Sequence, residues 1–123
     1  MHMDIRIKAT GFELTAETRS YLDDRIAALE KFVSDAGTAR CEVELGLAAG
    51  GQRHGANMWF AENRILVPGN SPVYARNNAS SVNAAIDDVK EEVERQLRRG
   101  KRLDIRMARK TGAAIKNWLK FGR

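Results

Sequence analysis

Asp4-Ile5-Arg6-Ile7-Lys8 alternates polar and apolar residues with period two. That pattern puts Ile5 and Ile7 on one face and Arg6 and Lys8 on the other, as a half-buried strand requires, and Gly11 ends it. Thr15 then suits an N-cap and Glu17 the positive end of a helix, while Leu22, Ile26, Leu29 and Val33 form one apolar stripe. The spacing predicts a helix from about Ala16 to Val33, broken by Ser34-Asp35-Ala36-Gly37. Cys41, Val43, Leu45 and Leu47 next alternate with Glu42, Glu44 and Gly46, the clearest strand pattern in the chain. Ala48 to Gly55, with Gly50-Gly51 and His54, predicts a reversal into a strand over about Ala56 to Val67. The phase of that strand is open: Met58 and Phe60 share one parity and Ile65 and Val67 the other, so either a bulge lies near Glu62-Asn63 or the inner face includes Trp59. Pro68-Gly69-Asn70 marks a turn into a short strand around Val73 to Asn77, restricted at its start by Pro72. Ser80 or Ser81 caps a second helix with Val82, Ile86, Val89, Val93 and Leu97 on one stripe, and Gly100 is its expected stop.

The order strand, helix, three strands, helix, with an antiparallel meander offering one apolar face to both helices, predicts a two-layer α+β domain over residues 1–100. Residues 101–123 fall outside it as a basic C-terminal tail. Within that tail Ile115, Trp118 and Leu119 stand at helical spacing, which suggests a short amphipathic helix over Ala113 to Phe121.

Composition narrows the function classes. The chain has 123 residues, 43% hydrophobic and 30% charged, which fits one globular core that needs no disulfide or structural metal. The single Cys41 can form no intrachain bridge, so a reduced, cytoplasmic setting is the expectation. No apolar run is long enough for a membrane span, and the first residues alternate instead of forming a secretory signal. The net charge of +5 is unevenly distributed: residues 101–123 carry +7 and residues 1–100 carry −2.

Catalysis finds little support. Cys41 lies on the inward phase of its strand, and the two histidines, His2 and His54, are far from it in sequence, so it reads as a core residue. Two His and one Cys scattered along the chain lack the spacing of a metal centre. Asp87, Asp88, Glu91, Glu92 and Glu94 fit the solvated face of an amphipathic helix, and Gly50-Gly51 lacks the Lys-Ser or Lys-Thr of a phosphate loop. No enzyme activity, cofactor, metal or small-molecule substrate is expected.

The basic residues are better organised. Arg95, Arg98, Arg99, Lys101 and Arg102 cluster at the end of the second helix, and Arg106, Arg109 and Lys110 continue the run. Such a row gains affinity for nucleic acid by releasing condensed counterions, with strong salt dependence and little sequence preference. Lys8, Arg25 and Lys31 are candidates to extend it. Trp118 and Phe121, set among Lys116, Lys120 and Arg123, suit either base stacking or burial against the domain, and both readings stay open.

Three stretches resemble the ribosome hibernation-promoting factor and ribosome-associated inhibitor family, also known as sigma-54 modulation protein-like. Asp4 to Gly11 followed by Leu14 to Leu22 resembles its opening strand and capped helix, and Leu29-Glu30-Lys31-Phe32 that helix's end. Ala84-Ala85-Ile86-Asp87 with Val93-Glu94-Arg95-Gln96-Leu97-Arg98-Arg99 resembles its second helix, and Val67-Pro68-Gly69 a common turn. The resemblance covers about residues 4–102. It implies a four-stranded sheet with two helices on one face, related to double-stranded-RNA-binding domains. It also implies a cytoplasmic bacterial stress-response factor that regulates translation from the decoding channel of the small ribosomal subunit. There it would meet ribosomal RNA and neighbouring ribosomal proteins, block messenger and transfer RNA sterically, and be a monomer when free. The tail is too short for the dimerising domain of the long forms, so the chain looks like a short form. A free double-stranded-RNA-binding module is the alternative.

Overall fold

In the computed structural model, residues 2–48 and 58–110 are described, the last ten of them by backbone alone. The expected reversal around Gly50-Gly51, and the tail segment with Ile115, Trp118 and Leu119, lie outside these residues. Strand β1 (Asp4–Thr10), helix α1 (Ala16–Glu30), a 3-10 turn (Ala36–Thr38), strands β2 (Arg40–Leu47), β3 (Trp59–Leu66) and β4 (Val73–Ala79), and helix α2 (Val82–Lys110) follow in order. The sheet order is β1-β2-β3-β4, with β1 and β2 parallel across the α1 crossover and the remaining pairs antiparallel. Both helices cover one face of the sheet, which makes the predicted two-layer α+β fold.

Local chemistry explains the helix boundaries. The Thr15 hydroxyl accepts from the Thr18 N–H at 3.2 Å, capping α1 as expected. The α-helix stops at Glu30, short of the predicted Val33, because its last turn tightens: Phe32 N–H bonds the Leu29 carbonyl and Val33 N–H the Glu30 carbonyl. Val33 is still buried, so the apolar stripe outlasts the helix that it predicted. At α2 the Ala84 N–H donates to Ser81 Oγ at 3.1 Å, which selects Ser81 over Ser80 as the cap.

Gly100 does not stop α2. Its φ is not positive, whereas a glycine C-cap takes the left-handed conformation, and the helix runs on to Lys110. A glycine in a helix interior costs about 0.5–1 kcal/mol relative to alanine, too little to end a helix whose flanking residues are good helix formers.

Leu22, Ile26 and Leu29 of α1 and Ala85, Ile86, Val89, Val93 and Leu97 of α2 pack onto Cys41, Val43, Leu45, Ala61 and Ile65 of the sheet. The register of β2 against β3 runs unbroken from Arg40 opposite Leu66 to Leu47 opposite Trp59, so there is no bulge at Glu62-Asn63. The inner parity of β3 is Trp59, Ala61, Asn63 and Ile65. Phe60 is nevertheless buried on the outer face, lying directly opposite Gly46 and beneath the Arg76 guanidinium at 4.2 Å. Burial of consecutive residues on opposite faces is what blurred the alternation.

Candidate nucleic-acid interface

Helix α2 changes sign along its length. Asp87, Asp88, Glu91, Glu92 and Glu94 occupy its first half, and Arg95, Arg98, Arg99, Lys101, Arg102, Arg106, Arg109 and Lys110 follow, interrupted only by Asp104. Only Arg109 and Lys110 stand in the last turn, where bases complement the macrodipole; the first turn holds no acid. Because α2 continues through Gly100, these bases belong to one rod, and Arg95 to Arg109 spans roughly 20 Å at the helical rise. Arg95, Arg98, Arg102, Arg106 and Arg109 succeed one another at steps of three and four, the spacing of positions along one helix face.

The end of α1 meets this run at Phe32. The Lys31 ammonium lies 5.3 Å from the Phe32 ring centroid and the Arg98 guanidinium 4.9 Å from it, so one ring carries a cation from the cap of α1 and one from α2. Arg99 and Phe32 line the same groove, with Val67, Pro72 and Leu97. Lys31, Arg98 and Arg99 are thus gathered at one end of the domain, with Arg95 one turn earlier on α2.

Arg95 pairs with Glu92, and Arg98 reaches Glu94 at 3.0 Å. The Lys90 ammonium also binds Glu94, at 2.6 Å, and its hydrogen bond is the main cause that holds the Glu94 carboxyl below the usual carboxylate range. Arg95 is 60% and Arg98 49% exposed. An exposed helix pair such as Arg95–Glu92 is worth about 0.3–0.5 kcal/mol, so a phosphate can compete for the Arg95 guanidinium, while Arg98 shares the half-buried Glu94 with Lys90.

The other candidates lie elsewhere. Arg25 binds Asp87 at 3.0 Å in the seam between the helices. Lys8 stands on the outer sheet face, in a lattice of both signs. There Arg6 reaches Asp4 at 3.2 Å, the Thr10 hydroxyl donates to Glu44 at 2.7 Å and the Tyr74 hydroxyl donates to Glu62 at 2.5 Å. For Lys101, Arg102, Arg106, Arg109 and Lys110 the helical backbone alone is described, and Trp118 lies outside the described residues.

A family model for the Sigma 54 modulation protein / S30EA ribosomal protein matches residues 5–103. The chain belongs to this family. Membership supports a ribosome-associated role, and the match takes in every element of the sheet, α1 and most of α2; Arg106, Arg109 and Lys110 lie beyond it. Among solved structures, the N-terminal domain of Protein Y from Thermus thermophilus is similar, with 24% identity, a TM-score of 0.62, and coverage of 80% of this chain and 98% of that one. A ribosomal subunit interface protein from Coxiella burnetii is 14% identical, with a TM-score of 0.63 and the same coverage. At these identities the likeness shows the fold. A search of the curated proteins finds no match.

Two kinds of residue escaped the sequence reading. Phe32 anchors Lys31 and Arg98, yet reads in the sequence as one more apolar residue at a helix end. Arg64 and Arg76 lie over Tyr74 and Phe60 on the outer face, at 5.5 and 4.2 Å, and could be placed only once the phase of β3 was known. Cys41 is fully buried, and the burial pushes its thiol up to about 11, against the low value a nucleophilic cysteine needs. Among the described residues no group of His, Cys, Asp and Glu could hold a metal ion, and no helix is long and apolar enough to cross a membrane.

Proposed function

We propose that this chain is a translation silencer that seats in the decoding channel of the small ribosomal subunit and blocks messenger and transfer RNA by occupying their space, without making or breaking bonds. The observation that carries the reading is the continuity of α2 through Gly100, which sets the arginine run on a single helix beside Lys31. Arg95, Arg98 and Arg99, with Lys101, Arg102, Arg106, Arg109 and Lys110, would meet ribosomal RNA phosphates. Such contacts position a protein without reading sequence, so selectivity would come from the fit of the two-layer wedge to the channel. Lys8 and Arg25 take a lesser part, Lys8 from the outer sheet face and Arg25 from its pair with Asp87. The Coxiella burnetii protein of similar fold is a ribosomal subunit interface protein, which agrees with this partner.

Cosedimentation with small subunits over a salt series tests it. Binding should fall steeply as salt rises, and Arg98→Glu combined with Arg99→Glu should weaken it by about tenfold or more while leaving the fold intact. Equal binding by the parent and the double variant overturns the proposal, and so does tight binding to an isolated RNA duplex with no preference for the subunit.

A further inference from the structure

Among the described residues strand β4 ends the sheet, and one row of its backbone groups has no strand beside it. In an antiparallel pair, alternate residues point their N–H and C=O away from the partner. Tyr74 is one of these, and its outward groups are taken by a side chain. The Tyr74 N–H donates to Gln96 Oε1 at 3.2 Å, and Gln96 Nε2 donates to the Tyr74 carbonyl at 2.8 Å. The primary amide of Gln96 therefore bonds the edge as the peptide group of a neighbouring strand would. Gln96 Nε2 also donates to Glu92 Oε2 at 2.9 Å, which fixes the orientation of the amide: turned over, it would set NH2 against the Tyr74 N–H and oxygen against both the Tyr74 carbonyl and Glu92.

We propose that β4 is a strand-pairing edge held closed by Gln96, and that the strand it turns away is β4 of a second copy of this chain. The same alternation makes Arg76 and Asn78 the other outward residues. Two antiparallel β4 strands about a two-fold axis, in the register that uses all three positions, pair Tyr74 with Asn78 twice and Arg76 with itself once. With Gln96 in place on both copies the two outer pairs are lost. What remains is one arginine opposite its own copy, a like-charged pair that is itself unfavourable. Exposed edges are a general route to self-association, and a side-chain surrogate strand is a means of closing one. Asn77 ties the same strand to α2, its Nδ2 donating to Asp88 at 2.8 Å, so β4 and its plug are held in one relative position.

The test is sedimentation of the full chain over a concentration series reaching the millimolar range, together with amide exchange at Tyr74, Arg76 and Asn78. The parent should sediment as a monomer throughout. Gln96→Ala should shift to a dimer as concentration rises, with exchange at Arg76 and Asn78 slowed by about tenfold or more in the dimer. If Gln96→Ala fails to fold, Gln96→Ser carries the same test, since its short side chain cannot reach the Tyr74 N–H and carbonyl. A variant that stays monomeric overturns the proposal. So does a dimer whose Arg76 and Asn78 amides exchange at the monomer rate, or a parent chain that already pairs through β4.

Discussion

The Tyr21 hydroxyl donates to Asp87 Oδ2 at 2.6 Å, tying the middle of α1 to the first turns of α2. Arg25 donates to the other oxygen of the same carboxylate at 3.0 Å, and its guanidinium lies 3.9 Å from the Tyr21 ring centroid. The three groups close on one another: the carboxylate holds the hydroxyl and the guanidinium, and the guanidinium covers the ring. Asp87 therefore does not belong functionally with the solvated acids around it in the sequence, and Arg25 has a structural partner.

This contact gives the alkaline side of the stability profile its sign. The hydrogen bond to Asp87 is the main cause that raises the Tyr21 hydroxyl above its ordinary value. The folded state thus favours the protonated phenol, and the stabilisation is complete below the unfolded-state value and lost as pH rises through the folded one. Tyr21→Phe should lower the melting temperature at neutral pH and flatten its fall at alkaline pH. Tyr21→Phe with Asp87→Asn should cost less than the two single changes summed, because the residues act as a unit. Thermal melts of the four proteins across neutral to alkaline pH check this, and strict additivity would count against the coupling.

The elements that periodicity foretold were those with one buried face. In β1, β2 and the first half of α2, polar and apolar positions sort cleanly, so the pattern and the fold agree. Periodicity failed where burial came from both sides or from a residue with no side chain. Phe60 is covered on the outer face because Gly46 opposite leaves room for its ring, a relation between two strands that no single segment encodes. The basic run was legible as composition; its continuity was hidden by Gly100, read as a stop when its conformation is helical. The gathering of Lys31 with Arg98 and the separation of Arg25 and Lys8 from them depend on how the helices pack.

Gly46 should tolerate no side chain. A Cβ there would lie 2.4 Å from the Thr10 carbonyl oxygen and 2.9 Å from Phe60 Cε1, so β1 and the Phe60 ring would both have to move. The first contact is backbone within the parallel β1–β2 ladder and cannot swing aside as a flexible side chain would. Gly46→Ala should destabilise the domain by about 1–3 kcal/mol, the usual cost of overpacking. Urea denaturation measures it, and a midpoint equal to the parent's would show that the strands part without strain.

Gly100 should respond in the opposite sense. It has open space where a Cβ would stand, and its backbone already has the helical hand. Gly100→Ala should stabilise α2 locally by about 0.5–1 kcal/mol by restricting the unfolded chain and favouring the helix, and should raise far-ultraviolet helicity. Gly100→Pro should act against it, since proline in a helix interior removes a backbone donor and clashes with the preceding turn at a cost of about 3 kcal/mol or more. If the rod beyond Gly100 presents its bases as one surface, ribosome affinity should rise with alanine and fall with proline although neither substitution changes any charge. Paired circular dichroism and cosedimentation on the two variants separate this from a charge effect. A loss of helicity in Gly100→Ala would mean that α2 ends at Gly100 after all, with Arg106 and Arg109 outside the helix that carries Arg98.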